Sequence, residues 1–154
     1  MTKDNKEKLC LFFASDYHFE MISLPFISKE LKDDKNVVVM TENSLNETVD
    51  ELLSKINLNN NDRDKLKGIN WSAGDFSKLD EVKCANEKGK KSVVFVKGKE
   101  NYISDVNKSM EGLVSSGNVK VIDCYDINEV HKDVGNIVKN YGQVLFTSGI
   151  EKLL

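Results

Sequence analysis

Residues 37–56, VVVMTENSLNETVDELLSKI, join a short apolar run to a segment with helical periodicity. Val37 to Met40 is rich in β-branched residues and is typical of a strand covered on both faces. The segment after it carries an apolar stripe at helical spacing: Leu45, Val49, Leu52, Leu53 and Ile56. Ser44 and Glu47 have the spacing of a capping box, which predicts the start of this helix.

The same alternation of strand and helix recurs along the chain. The other strand-like runs are Leu9–Ala14, Val93–Val96, Val119–Ile122 and Val144–Thr147, with Ile69–Ala73 as a weaker sixth candidate. Further helices are predicted around Pro25, over 75–82, over 103–114 and over 127–141. Short connections between such elements favour right-handed crossovers. We therefore predict an α/β fold, a three-layer sandwich with a mostly parallel sheet of five to six strands.

Some segments are less regular. Pro25 lies within the apolar pattern of the first predicted helix, which either starts near Leu24 or kinks at the proline. The polar stretches 57–67 and 87–91 are typical of solvated loops. Gly117 is expected to end the helix over 103–114 in the left-handed conformation. Residues 1–8 are interpreted as a polar tail and residues 9–154 as a single α/β domain.

Charge and cysteine content argue against several classes of function. The 154 residues carry a net charge of −3 with a single arginine, so concentrated positive charge for nucleic acid or an anionic membrane is lacking. Cys10, Cys84 and Cys124 form no CxxC pair, and zinc-site spacing is absent. Cys10 and Cys124 lie in strand-like runs, where packing is the simplest role. The first residues lack a signal-peptide h-region, which predicts a cytoplasmic location.

A ligand site is expected beyond the carboxyl ends of the parallel strands, where the connecting loops meet. The polar residues of those loops form the candidate ligand-binding set: Ser15, Asp16, His18, Glu42, Asn43, Lys99, Asp123 and Thr147. The turn after the first predicted strand has neither GxxxxGK[ST] nor GxGxxG, the patterns of phosphate-binding loops. Hydrolysis of a nucleoside triphosphate by the P-loop route is therefore not expected, and no cofactor or metal is predicted.

Asp123 follows an apolar run and is expected at a strand end. In nucleotide hydrolases an acid at this position holds Mg²⁺ through water. The simpler interpretation, that Asp123 or Asp126 caps the next helix, is favoured because such caps are common. Ser15, Asp16 and His18 are triad residue types, but one short turn does not allow them triad geometry.

The order of these features resembles the RecA/KaiC-type ATPase fold, in its branch that lacks the P-loop. Leu9–Ala14 and the helix containing Pro25 look like the first strand and the helix after the P-loop. The segment 35–44 resembles the second strand and the start of the next helix. Val121-Ile122-Asp123 looks like the Walker B strand, and 144–148 looks like the strand that follows.

Where that family has its phosphate loop, this chain has Ala14-Ser15-Asp16-Tyr17-His18. The departure removes the grounds for expecting ATPase activity. Within the branch, the chain is most similar to MEDS-type sensory domains of bacterial and archaeal signalling proteins. This resemblance implies a sensory role, with output through a separate partner protein.

Three functions remain open at this point. The preferred one is a non-catalytic sensory, regulatory or protein-interaction domain with a degenerate nucleotide site, whose partner is a protein or a second copy of the chain. A small anionic ligand is a further candidate, whereas nucleic acid and membrane are not expected. The alternative is an enzyme of unrecognised type that acts on a small anionic or nucleotide substrate through Asp16, His18 and Lys99. The third is a structural subunit that packs through Ile150, Leu153 and Leu154.

Overall fold

A computed structural model describes residues 8–73, 76–130, 134–146 and 149–152. Within these ranges six strands form one sheet: β1 (Leu9–Phe13), β2 (Asn36–Thr41), β3 (Ser92–Lys97), β4 (Val119–Asp126), β5 (Gln143–Phe146) and β6 (Gly149–Lys152). Their order is β2-β3-β4-β1-β5-β6. All neighbouring pairs are parallel except β5 and β6. The predicted, mostly parallel sheet is confirmed.

Helices cover both faces of the sheet. The first face carries α1 (Asp16–Lys32), α2 (Asn46–Lys55) and α3 (Asn60–Lys67), and the second carries α4 (Leu79–Glu87), α5 (Glu100–Val114), α6 (Ile127–Val130) and α7 (Val134–Val138). Successive strand residues point to opposite faces. Leu11 and Phe95 therefore lie in the core beneath α1, whereas Cys10 and Val94 lie in the core beneath α5. The result is the predicted three-layer sandwich.

The candidate strand over 69–73 is wrong. This segment has no strand structure, although Trp71 is buried. The indole Nε1 of Trp71 donates to the carbonyl of Leu66 at 2.9 Å, and the carbonyl of Trp71 accepts from the amide of Leu45 at 2.9 Å. These contacts hold the segment as an anchored loop. The sixth strand is instead β6, which runs antiparallel to β5.

The loop predicted over 57–67 is also wrong in part, because α3 lies within it. Asn59 caps α3 by accepting from the amide of Asp62 at 2.8 Å. Leu66 is the buried apolar residue of this short helix. One apolar position is too few to display helical periodicity, so the sequence pattern alone does not reveal the helix.

Two helix starts differ from expectation. The helix α1 begins at Asp16 and contains Pro25 in its interior, so the alternative start near Leu24 is wrong. Leu45, without a side-chain cap, precedes α2, and the expected capping box is absent. The hydroxyl of Ser44 accepts instead from Asn46.

Other helix expectations are met. A 3-10 turn at Phe76–Lys78 leads into α4, and Gly117 beyond α5 has the predicted positive φ of 82°. The helix expected over 127–141 appears as α6 and α7, with residues 131–133 outside the described ranges. In the described part of the chain, no helix combines the length and apolar character needed to cross a membrane.

The predicted packing surface at the end of the chain is described only in part. Ile150 lies in β6 and is 39% exposed. Leu153 and Leu154 lie outside the described residues, as does most of the predicted polar tail over 1–8.

Candidate functional site

A polar cleft of about 330 Å³ lies at the carboxyl edge of the sheet. It is lined by Phe13, Asp16, Glu42, Asn43, Lys97, Gly98, Lys99, Asp126 and Glu129. The parallel strands β1 to β4 all end at this edge, which brings residues from distant parts of the sequence together. Four predicted site residues therefore meet here: Asp16, Glu42, Asn43 and Lys99. Thr147, a fifth, lies outside the described residues.

Lys97 is the central residue of this cleft, and the sequence analysis did not select it. Its Nζ lies 2.8 Å from Oδ1 of Asp16 and donates to Oδ1 of Asn43 at 3.2 Å. Nδ2 of Asn43 donates in turn to Oδ2 of Asp16 at 3.3 Å, which closes a three-residue network. The ammonium also lies 4.8 Å from the ring centre of Phe13 and 5.6 Å from that of Phe19.

A signal for Lys97 was present in the sequence. Val93, Phe95 and Lys97 alternate on one face of β3, so the period of two directs Lys97 toward the buried layer beneath α1. A lysine at a buried position requires a partner of opposite charge. The partner, Asp16, belongs to the turn after β1, and no local pattern connects the two residues.

The turn between β1 and α1 satisfies its own backbone groups. The hydroxyl of Ser15 accepts from the amide of His18 at 3.1 Å and forms the N-cap of α1. Nδ1 of His18 accepts from the amide of Ala14 at 2.8 Å. Helix N-termini bind phosphate through free backbone amides. Here two amides of the turn are already bonded, and Asp16 adds a negative charge beside them.

The junction between β1 and β4 is bridged. The chain leaves β1 through α1 on the first face and leaves β4 through α6 on the second face, which makes a topological switch point. Such crevices are the usual ligand sites of open sheets. Nδ2 of Asn128 donates across this crevice to the carbonyl of Ala14 at 3.2 Å. The amide of Asn128 donates to Oδ1 of Asp126 at 2.9 Å, which confirms Asp126 as a cap.

Glu42, Gly98 and Lys99 form the second wall of the cleft. The carboxylate of Glu42 accepts a hydrogen bond from the backbone amide of Lys99. A Cβ atom at Gly98 would lie 2.8 Å from Cγ of Glu42 and 2.8 Å from Cδ2 of Tyr102. Burial and the nearby charge of Glu42 raise the pKa of Tyr102 to about 12. This wall is closely packed and acidic.

The expected position of Asp123 at a strand end is wrong. The strand β4 is paired on both sides and continues to Asp126, so Asp123 lies mid-strand opposite Cys10 and Val96. Its side chain also points to the second face, whereas Lys97 points to the first. Asp123 is therefore not part of the carboxyl-edge cleft. The same finding removes the strand-end acid on which the likeness to a Walker B strand rested.

Asp123 belongs instead to a buried hydrogen-bond network beneath α5. Oδ1 accepts from Asn107 at 2.9 Å, and Oδ2 accepts from the hydroxyl of Tyr141 at 2.6 Å. The hydroxyls of Tyr125 and Tyr141 lie 2.6 Å apart. Burial raises the pKa of Asp123, while the hydrogen bonds from Tyr141 and Asn107 act against that rise. These partners are all protein groups, as in a packing network.

The described cysteines and carboxylates do not form a metal centre. Among the residues that the structure describes, no three His, Cys, Asp or Glu side chains are grouped to hold a metal ion. Cys10 and Cys124 are buried, as their strand-like surroundings predicted. Burial raises the pKa of Cys10 to about 12 and raises that of Cys124 well above its ordinary value. Both thiols are therefore protonated packing groups.

Comparisons with known proteins bear on the fold. No family model and no curated protein matches this sequence. A solved ATPase domain from a RecA-like helicase is similar, with a TM-score of 0.56 and 12% sequence identity. The similarity covers 93% of this chain and 69% of that chain. At this identity the likeness concerns the fold alone, and the chain has a RecA-like α/β fold.

Proposed function

We propose that this chain is a non-catalytic sensory or regulatory domain of the P-loop-lacking, MEDS-like type, which acts by binding a protein partner. In this proposal the nucleotide site at the carboxyl edge is degenerate. The observation that carries the proposal is the closed network of Lys97, Asp16 and Asn43 in the cleft.

Charge is the first argument against a phosphate ligand in this cleft. The charge of Lys97 is neutralised by Asp16, and its side chain is only 4% exposed. Lys99 remains as an exposed cation, but Glu42, Asp126 and Glu129 line the same cleft. A phosphate would meet more negative than positive charge here. Phosphate sites in proteins instead combine free amides with unneutralised cations.

Backbone hydrogen bonding is the second argument. A nucleotide site would need the amides at the start of α1, yet Ser15 and His18 occupy two donors of this turn. Asn128 bridges the crevice between β1 and β4. Preorganised contacts within the protein must be broken before a ligand can enter, which lowers its apparent affinity. The exposed polar rim, with Lys99 and Glu129, is accessible to a macromolecule.

The test combines turnover and partner capture. Purified protein is incubated with Mg²⁺ and ATP or GTP, and released phosphate is measured. In parallel, the tagged chain captures partners from extract of its own cells, with a Lys99→Glu/Glu129→Lys double variant for comparison. The matched control is Asp105→Lys/Glu111→Lys, which changes two exposed charges on α5.

The expected result is no phosphate release and a partner that the wild type and the α5 control retain but the rim variant loses. Phosphate release that disappears in a His18→Ala/Lys99→Ala variant would establish the enzyme alternative. A partner that all three proteins retain equally would show that the carboxyl edge is not the binding surface.

A further inference from the structure

A second cavity lies on the outer side of α1, away from the carboxyl-edge cleft. It is a groove of about 360 Å³ between α1, α2 and α3, and it shares no lining residue with that cleft. Its walls are mainly apolar, from Met21, Leu24, Pro25, Leu52, Ile56 and Leu66. The lining of α1 extends from residue 20 to residue 32, which is about 18 Å at 1.5 Å per residue.

Glu20 is an unusual member of this apolar lining. Its side chain is buried, with 0% exposure. One carboxylate oxygen, Oε2, bonds to the hydroxyl of Thr48, while Oε1 has no hydrogen-bond partner within the described structure. A buried, unpaired carboxylate oxygen costs free energy that a suitable ligand can recover. Glu20 is therefore a recognition group without an occupant.

The surroundings of Glu20 call for positive charge. Burial raises the pKa of its carboxyl, and the charges of Asp16 and Glu51 act in the same direction. Lys97 acts in the opposite direction, but its ammonium is already paired with Asp16. An ammonium group in the groove would supply both the missing hydrogen-bond donor and the missing counter-charge.

We infer that the groove between α1, α2 and α3 binds a small cationic amphiphile, with an aliphatic body along α1 and a primary ammonium at Glu20. The body is held by burial of apolar surface, because removing such surface from water is favourable. The head is selected by Glu20, because a carboxylate head would face like charge and a hydroxyl head would leave the charge uncompensated.

The single tryptophan provides the readout. Trp71 donates to the carbonyl of Leu66, and Leu66 lines the groove. The full chain is titrated with n-octylammonium, n-octanol and n-octanoate below their aggregation concentrations, and Trp71 fluorescence is recorded. These three probes have the same chain length and differ in head group, so the comparison isolates the contribution of charge.

Three variants complete the experiment. Glu20→Gln keeps the shape but removes the charge, and Ser28→Phe fills the groove without changing Glu20. Ser109→Phe makes the same substitution on the exposed side of α5 and serves as the matched control. Each variant is first shown to be folded by its circular dichroism spectrum and a cooperative unfolding transition.

The expected result is saturable octylammonium binding that is at least about tenfold tighter than that of octanoate, a difference of about 1.4 kcal/mol. Glu20→Gln should weaken octylammonium binding about tenfold, Ser28→Phe should abolish it, and Ser109→Phe should leave it unchanged. Equal binding of octanoate, or unchanged octylammonium binding in folded Glu20→Gln or folded Ser28→Phe, would overturn the inference. If Glu20→Gln does not fold, the Ser28→Phe result and the comparison of head groups decide the matter.

Discussion

The ammonium of Lys97 lies 2.8 Å from the carboxylate of Asp16, but only the lysine is buried. The side chain of Lys97 is 4% exposed, whereas that of Asp16 is 36% exposed. The two ends of this ion pair therefore depend on each other unequally. Removal of Asp16 leaves a buried charge with Asn43 as its remaining polar partner, while removal of Lys97 leaves a carboxylate that water can reach.

Asp16→Ala should therefore destabilise the protein more than Lys97→Met. Loss of the partner of a buried charge costs about 3–5 kcal/mol, whereas loss of the partner of a partly exposed charge costs about 1 kcal/mol or less. Urea denaturation at neutral pH measures both free energies of unfolding. The exposed pair Lys55–Glu51 is the control, and Glu51→Ala or Lys55→Met should each cost about 0.5 kcal/mol or less. A larger cost for Lys97→Met than for Asp16→Ala would contradict the unequal burial.

Glu20 should make stability fall as the pH rises. Its pKa is raised in the folded state, so over the range above the ordinary glutamate value the folded state holds more protons than the unfolded state. The stability contribution of the protonated form is present in acid and is lost as the pH increases. Glu20→Gln removes this titration, so its stability relative to wild type should improve from about pH 4.5 to about pH 8. Urea midpoints across that range test the trend, with the exposed Glu111→Gln as control. A flat or falling difference would contradict it.

Tyr141→Phe should disrupt the network around Asp123. The substitution removes the donor to Oδ2 of Asp123 and the hydroxyl next to that of Tyr125, which leaves buried polar atoms unpaired. The expected cost is about 1–3 kcal/mol. Because the lost hydrogen bond lowers the pKa of Asp123, that pKa should rise further and the cost should grow with increasing pH. Unfolding at about pH 5 and about pH 8 measures both effects. Tyr17→Phe, at a side chain that is 59% exposed, should change little.

Gly98→Ala should destabilise the cleft. The added methyl group would lie 2.8 Å from atoms of Glu42 and Tyr102, so neighbouring side chains must move. Overpacking of this kind costs about 1–3 kcal/mol. Gly112→Ala is a matched control within α5, where an added Cβ meets no atom within 4 Å. That control should gain about 0.5–1 kcal/mol through helix propensity, and thermal unfolding distinguishes the two directions. Equal stability of the two variants would refute the close packing at Gly98.

Local pattern was sufficient for most elements of the fold. The five strongest apolar runs became β1 to β5, because continuous apolar segments are stable only when a sheet is covered on both faces. Pattern failed where few apolar residues contribute. The helix α3 buries Leu66 and lacks a stripe, and Trp71 is buried from a loop. The short strand β6 depends on its pairing with β5.

The candidate site was predictable as a place more than as a set of contacts. Asp16, Glu42, Asn43 and Lys99 follow the expected strands or begin the expected helices, so they were found from topology alone. Asp123 lies within β4, which continues to Asp126, because the end of a strand depends on its neighbours. The orphaned oxygen of Glu20 and the groove beside it appear only after α1, α2 and α3 have packed together.

The sequence by itself determined the α/β class, the parallel sheet and the edge at which polar loops collect. These features follow from periodicities of about 2 and about 3.6 residues, which are local properties of the chain. Tertiary structure alone decided the strand order, the pairing of Lys97 with Asp16 and the position of Asp123 on the opposite face. Those features depend on which distant segments become neighbours, and that choice is made by the packing of the whole core.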